Sequence, residues 1–243
     1  MKKEVFNHIF LPHYSSHHRA DALELASVNI NNGDRMSVRL NIAKFAEEKD
    51  VVMLQETRCN VDGYINYYNP DNTGTAVLVR NRYNNHRRIE EQFAFGTIVE
   101  LLLNTREGIK KLAIGSIYIP HNCKKEALNA IMKLYKDLRK SYFGVFLGGA
   151  YNTYFPKLMG LCMSNDIQVN SLGKPTRVSG HCIDYISSNG IRSVYDLDSS
   201  WWVSDHLPVC LSVKMKKVSL ADRSSNVINY DELVKDYEKL DVA

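Results

Sequence analysis

The sequence predicts an α/β fold with one main core, and three observations carry that expectation. Short apolar runs recur between polar turns, one strongly amphipathic helix lies mid-chain, and the apolar runs repeatedly end in a lone polar or acidic residue. A chain of 243 residues can bury one large core or two small ones, and one is favoured. Apolar residues at 44% and charged residues at 24% match a soluble globular protein, and no apolar run approaches a membrane span. A net charge of +4 is compatible with a polyanionic partner. No internal repeat or low-complexity block is present.

Residues 1–21 are polar and rich in histidine (His8, His13, His17, His18). They read as a flexible arm, because the histidine spacing fits no ordered metal geometry. No signal-peptide apolar region follows the basic start. Cys59, Cys123, Cys162, Cys182 and Cys210 are odd in number and lack paired metal-ligand spacing, so reduced thiols in an intracellular compartment are expected.

Residues 23–30 alternate in the manner of a strand and stop at the Asn31-Asn32-Gly33 turn. Residues 36–49 place Val38, Ile42, Phe45 and Ala46 near helical spacing. The run Asp50-Val51-Val52-Met53-Leu54 is a buried strand leading into Gln55-Glu56-Thr57-Arg58. A glutamate directly after an apolar run costs stability unless paired, so Glu56 either reaches solvent or binds a metal. Residues 74–80 are the next strand. The basic run Arg80, Arg82, His86, Arg87 and Arg88, with Tyr83 among them, reads equally as a phosphate track or a solvated hairpin. Residues 93–104 and 111–120 are neighbouring strands joined by a turn around Gly108.

Residues 124–140 form the best helix, with Ala127, Leu128, Ile131, Leu134, Tyr135 and Leu138 as its apolar stripe. Lys125, Lys133, Lys136, Arg139 and Lys140 are its wet face. Residues 143–147 read as a buried strand that ends in a tight loop at Gly148-Gly149, with Asn152 just beyond. Lys174-Pro175-Thr176-Arg177 leads to a strand at 182–186 that contains Asp184, and Asp205-His206 precedes a last apolar run at 207–213. Residues 22–215 are the expected domain. Residues 216–243 read as a polar linker and a short helix.

Asn29, Glu56, Tyr118, Asn152, Asp184 and the Asp205-His206 pair all sit at strand ends, and such ends can converge on one cleft. The ordered set Ser27-Val28-Asn29-Ile30-Asn31, Leu54-Gln55-Glu56-Thr57, Ile117-Tyr118-Ile119-Pro120, Gly148-Gly149-Ala150-Tyr151-Asn152, Ile183-Asp184-Tyr185 and Ser204-Asp205-His206 resembles the motifs of the endonuclease/exonuclease/phosphatase superfamily. The resemblance spans roughly residues 23–213. It implies a four-layered α/β sandwich of two mostly antiparallel sheets flanked by helices. It also implies phosphodiester hydrolysis with a divalent cation, Mg²⁺ or in its place Mn²⁺. A hard cation held by carboxylate and amide oxygens suits the negative charge that builds on the phosphate.

By that resemblance Glu56 is the main metal carboxylate, with Asn31 and Asp205 near the same ion. His206 meets the scissile phosphate, oriented by Asp184. Asn29 and Asn152 position the phosphate and the attacking water, and Tyr118 adds a phenol donor. Arg58, Asn122 and Arg177 are the implied nucleic-acid contacts, DNA the partner, and an intracellular, nuclear location the expectation.

Ala150 departs from the pattern, because the family carries a catalytic aspartate there. One clean loss among retained groups fits an introduced Asp-to-Ala change better than a natural pseudoenzyme. The stretch Gly180-His181-Cys182-Ile183-Asp184-Tyr185 disfavours the phosphoinositide phosphatases. Gln55 to Cys59 keeps apurinic-site repair endonucleases in play. Pro175-Thr176-Arg177 resembles the endonuclease domain of non-LTR retrotransposons, as does the tail Asn229-Tyr230-Asp231-Glu232-Leu233. That implies a nick whose 3′-hydroxyl primes reverse transcription, within a polyprotein that includes reverse transcriptase. A non-cleaving nucleic-acid-binding module and a phosphatase of small phosphoesters are the readings from other classes.

Overall fold

The computed structural model describes residues 22–31, 36–57, 60–69, 74–90, 93–105, 108–170, 173–189, 193–197 and 204–214. The expected N-terminal arm and C-terminal linker and helix lie outside these residues. The chain runs β1 (Ala22–Asn29), α1 (Met36–Ala46), β2 (Val51–Gln55), β3 (Tyr64–Tyr68), β4 (Ala76–Arg80), β5 (His86–Glu90), β6 (Gly96–Thr105) and β7 (Gly108–Tyr118). It continues through α2 (Lys124–Leu138), β8 (Gly144–Ala150), α3 (Phe155–Met163), β9 (Gln168–Asn170), β10 (Asp184–Ser188), β11 (Ser193–Leu197) and β12 (Val209–Lys214).

Two six-stranded sheets result, ordered β11-β12-β1-β2-β4-β3 and β5-β6-β7-β8-β10-β9. Pairing is antiparallel except for β1 with β2 and β7 with β8, each of which is bridged by a helix that allows the parallel return. The sheets stack face to face over a shared core that includes Leu25, Met53 and Val77 from one and Leu101, Ile114 and Phe146 from the other. On the outer face of the first sheet, Ile42, Phe45 and Ala46 of α1 cover Val28, Val52 and Leu78. On the outer face of the second, α2 and α3 bury Ile131, Tyr135, Leu158 and Cys162 against Val145 and Leu147. The layers are therefore helix, sheet, sheet, helix, the expected four-layered sandwich.

Element by element, the expected strands and the two expected helices within the described residues form, and these helices stop short of the sequence pattern. α1 ends at Ala46, where the side chain of Arg80 donates to the carbonyls of Ala46, Glu47 and Lys49 and so satisfies orphan helix-end acceptors. The basic run is a hairpin: Arg82 pairs with Asp50, Arg87 with Glu100, and Arg88 donates to the Tyr68 carbonyl. In α2 the buried stripe takes Met132 rather than Leu134, which is only partly buried. α3 was not expected from the sequence. Its signals are a proline in the first turn and Phe155, Leu158, Met159 and Cys162 at helical spacing. Cys123 and Cys162 are thiols.

The glycine pair is strand, not loop. β8 continues through Gly148 and Gly149 to Ala150 because both glycines sit where a neighbour approaches closely. An added methyl on Gly148 would lie 2.8 Å from Met53 and Ser27 of the facing sheet, and one on Gly149 would lie 1.8 Å from the Ile117 carbonyl oxygen. Gly149→Ala is thus expected to lower stability by about 1–3 kcal/mol, since backbone must move. Gly160→Ala in α3, with nothing within 4 Å, is expected to raise it by about 0.5–1 kcal/mol. Urea unfolding midpoints of the two variants check both signs.

Candidate active site

Alternation along the strands decides which side chains face the gap between the sheets. The inward series are Leu23, Leu25, Ser27, Asn29 on β1; Val51, Met53, Gln55 on β2; Leu112, Ile114, Ser116, Tyr118 on β7; Phe146, Gly148, Ala150 on β8; and Ile186, Asp184 on β10. Each is apolar in mid-strand and turns polar at the same end of the sandwich, Ala150 excepted. In register, Ala150 lies between Tyr118 on one side and Asp184 on the other.

Within the first sheet, the buried Asn29 amide donates to Glu56 Oε1 at 2.9 Å and its oxygen accepts the Asn31 backbone N–H at 2.9 Å. The Tyr118 side chain comes near the same carboxylate from the other sheet, so Glu56 has a bonded amide on one side and a phenol on the other. Burial first, then the Glu56 charge and hydrogen bond, raise the Tyr118 pKa and keep it a proton donor at neutral pH. Asn31 Nδ2 donates to Asp205 Oδ1 at 3.0 Å.

His206, 5% exposed, meets Asp184, 1% exposed, at 2.8 Å between Nδ1 and Oδ2. Asp184 is itself fixed by the Thr176 hydroxyl at 2.7 Å, while Thr176 Oγ1 accepts the Ile183 and Asp184 backbone N–H groups. Ser204 ties this group to the other: its hydroxyl donates to the Asn29 carbonyl and accepts the His206 N–H. Burial opposes charge on His206. The hydrogen bond and charge of Asp184, with Asp205 Oδ1 at 3.9 Å from Nε2, outweigh it and raise the pKa.

Backbone strain is concentrated here. Asn31, Glu56 and Asn152 have φ of 43°, 53° and 48°, a left-handed conformation that aims each side chain off its strand end. Glu56 is held in it by Gly74, where an added Cβ would lie 3.1 Å from Glu56 Cα and whose carbonyl accepts Thr57 N–H at 2.8 Å. The Asn152 amide is anchored on the Ile119 carbonyl at 2.8 Å.

The expected residues Asn29, Asn31, Glu56, Tyr118, Ala150, Asp184, Asp205 and His206 therefore belong to one connected group, with Asn152 at the end of β8 beside it. Asn122 is exposed in the turn before α2, and Arg177 is bound to Asp205. Arg58 lies outside the described residues. Thr176 and Ser204 were missing from the expected set, although both stand in stretches that the sequence singles out. Among the described residues no three His, Cys, Asp or Glu side chains gather as a metal cluster. The hard oxygens of Glu56, Asn31 and Asp205 still fit Mg²⁺, which needs only one or two carboxylates and takes the rest from water and phosphate.

Two stacked mixed sheets with helices on both outer faces are the arrangement of the endonuclease/exonuclease/phosphatase fold. Among solved structures it is similar to the endonuclease domain of TRAS1, a telomere-specific non-LTR retrotransposon, at TM-score 0.63 and 14% identity over 81% of this chain and 100% of that one. It is similar to the AP endonuclease LMAP from Leishmania major at TM-score 0.61 and 12% identity over 80% and 88%. A third is D. rerio TDP2 complexed with a single-strand DNA product, at TM-score 0.58 and 12% identity over 79% and 98%. No protein-family model and no curated protein matches the chain.

The raised His206 pKa has a defined consequence for stability. The stabilisation from its charged pair with Asp184 is fully present below the ordinary histidine value of 6.5 and is lost as pH rises through the raised folded value. Asp184→Asn is expected to lower the His206 pKa in an NMR titration, and its stability deficit shrinks as pH rises past neutrality. A His206 titration that does not move refutes the pairing.

Proposed function

We propose that this chain is a divalent-metal-dependent phosphodiesterase domain that nicks DNA and leaves a 3′-hydroxyl, present here in an impaired form because position 150 is alanine. The observation that carries the reading is the meeting of the Glu56–Asn29–Tyr118 group with the Asp184–His206 pair at one end of the inter-sheet gap. Glu56, with Asn31 and Asp205, would hold Mg²⁺ or Mn²⁺, and the bound cation supplies positive charge beside the phosphate oxygens.

The chain's own residues do the rest. His206, kept charged by Asp184, donates from Nε2 to a non-bridging phosphate oxygen. Asn29, fixed between Glu56 and the Asn31 backbone, and Asn152, anchored on Ile119, orient the phosphate and the attacking water. Tyr118 stays protonated and offers its hydroxyl to the phosphate or the leaving oxygen. Position 150, between Tyr118 and Asp184, is where a proton acceptor would act on the water. A methyl group cannot, and proton transfer is worth about 10²–10⁴ in rate.

Target-site nicking for a non-LTR retrotransposon is supported by the Pro175-Thr176-Arg177 stretch and by the likeness to the TRAS1 endonuclease domain. A nuclear protein that also carries a reverse transcriptase follows from that reading.

The test is nicking of supercoiled plasmid in Mg²⁺ by this chain and by Ala150→Asp. The substituted protein is expected to nick at least ~10² faster, to leave ends that a polymerase extends, and to lose activity on further Glu56→Gln change. It is also expected to unfold at lower urea without metal, because it buries a second carboxyl beside Asp184. If neither protein cuts while both bind DNA, the non-cleaving module replaces this reading.

A further inference from the structure

Both oxygens of Asp205, a proposed metal ligand, are occupied by the chain itself. Its Oδ2 accepts Arg177 Nε at 2.8 Å and Arg177 Nη2 at 2.8 Å, and its Oδ1 accepts the Asn31 amide at 3.0 Å. The pair is not a chance surface contact. Residues 176–178 are clipped antiparallel to 205–207 by Val178 N–H to the Asp205 carbonyl at 2.9 Å and Leu207 N–H to the Thr176 carbonyl at 2.7 Å, with a bridge between Arg177 and His206. The same clip carries Thr176 to Asp184. The guanidinium is thus delivered to Asp205 by the backbone, yet it remains partly exposed at the mouth of the site.

A guanidinium on Asp205 puts one positive charge where a divalent cation would draw on that carboxylate. It repels the cation and removes an oxygen from its ligand set. Guanidinium also prefers a bidentate phosphate to a single carboxylate oxygen.

We infer that Arg177 is a positioning residue that couples the cation to the nucleic acid: it masks Asp205 in the free protein and moves to a backbone phosphate when DNA arrives, which releases Asp205 to the cation. This rests on the metal-dependent reading above. In the free protein the cation then depends on Glu56 and Asn31 and binds weakly, and DNA tightens it.

The experiment measures Mn²⁺ binding by the loss of its free paramagnetic resonance signal. It uses the chain as it stands, Arg177→Ala, Arg177→Lys and Glu56→Gln, each with and without a short DNA duplex at one ionic strength. Without DNA, Arg177→Ala is expected to bind Mn²⁺ about fivefold more tightly than the parent, with Arg177→Lys between them. The duplex is expected to tighten binding in the parent and to do so less in Arg177→Ala. Glu56→Gln is expected to abolish it. Binding that needs Glu56 but is equal or weaker in Arg177→Ala overturns the coupling and leaves the metal-dependent reading standing. No binding in any protein, with or without duplex, overturns both. The backbone clip does not use the arginine side chain, so the variants keep the fold, which a thermal melt verifies.

Discussion

The close approach of the two sheets is the constraint on which the rest of the molecule depends. At Gly148 the facing strand comes so near that even a methyl group would strike Met53 and Ser27. Directly above that contact, buried polar groups bridge the sheets: Gln55 Nε2 donates to Ser116 Oγ at 2.9 Å, and Ser116 Oγ donates to the Leu54 carbonyl at 2.6 Å. Thr75 and Thr97 do the same nearby at 3.0 Å. These bonds have geometry that apolar packing lacks, so they set the height of one sheet against the other. Because Glu56 follows Gln55 and Tyr118 lies two residues beyond Ser116 on the same face, that setting is what places Tyr118 near the Glu56 carboxylate.

Above this belt the molecule accepts unfavourable local structure. Left-handed backbone at a non-glycine residue costs about 1–2 kcal/mol, and Asn31, Glu56 and Asn152 each adopt it at the end of a strand. Asp184 is buried with Oδ2 satisfied by Thr176 and His206 but with Oδ1 unpartnered. Three of the four left-handed non-glycine residues among the described residues gather at this end beside an orphaned carboxylate oxygen, as strain does in a preorganised site. The rigid inter-sheet packing below keeps them in place.

Much of the sandwich and most of the site were legible in the sequence, for a physical reason. Strands alternate with period two, so a polar residue at the end of an apolar run stands out, and Asn29, Glu56, Tyr118, Asn152, Asp184 and His206 all did. The misreadings have equally specific causes. Gly148-Gly149 has the local signature of a turn, and only the facing Met53 and the neighbouring Ile117 carbonyl explain why it is strand. The basic run after β4 stayed open between a phosphate track and a solvated hairpin because its partners, Asp50, Glu100 and the carbonyls that end α1, are far off in sequence. The Arg177–Asp205 pair was invisible for the same reason. Nothing near Arg177 in the sequence points to a carboxylate partner 28 residues away.

Ala150 shows how closely function and stability oppose each other at this end. Its methyl is fully buried, flanked in register by Asp184, whose bare oxygen already lacks a partner. A carboxyl at 150 would stand about 5 Å away along the sheet, the usual spacing of paired residues, and two buried acids so close cannot both ionise cheaply. One of them would take up a proton unless a cation or the phosphate-bound water neutralised it. A carboxyl at 150 would thus be costly in the empty structure. Alanine at 150 carries no such repulsion. With alanine there, the buried end keeps the Asp184–His206 pair and the register of β7, β8 and β10 without a second buried acid.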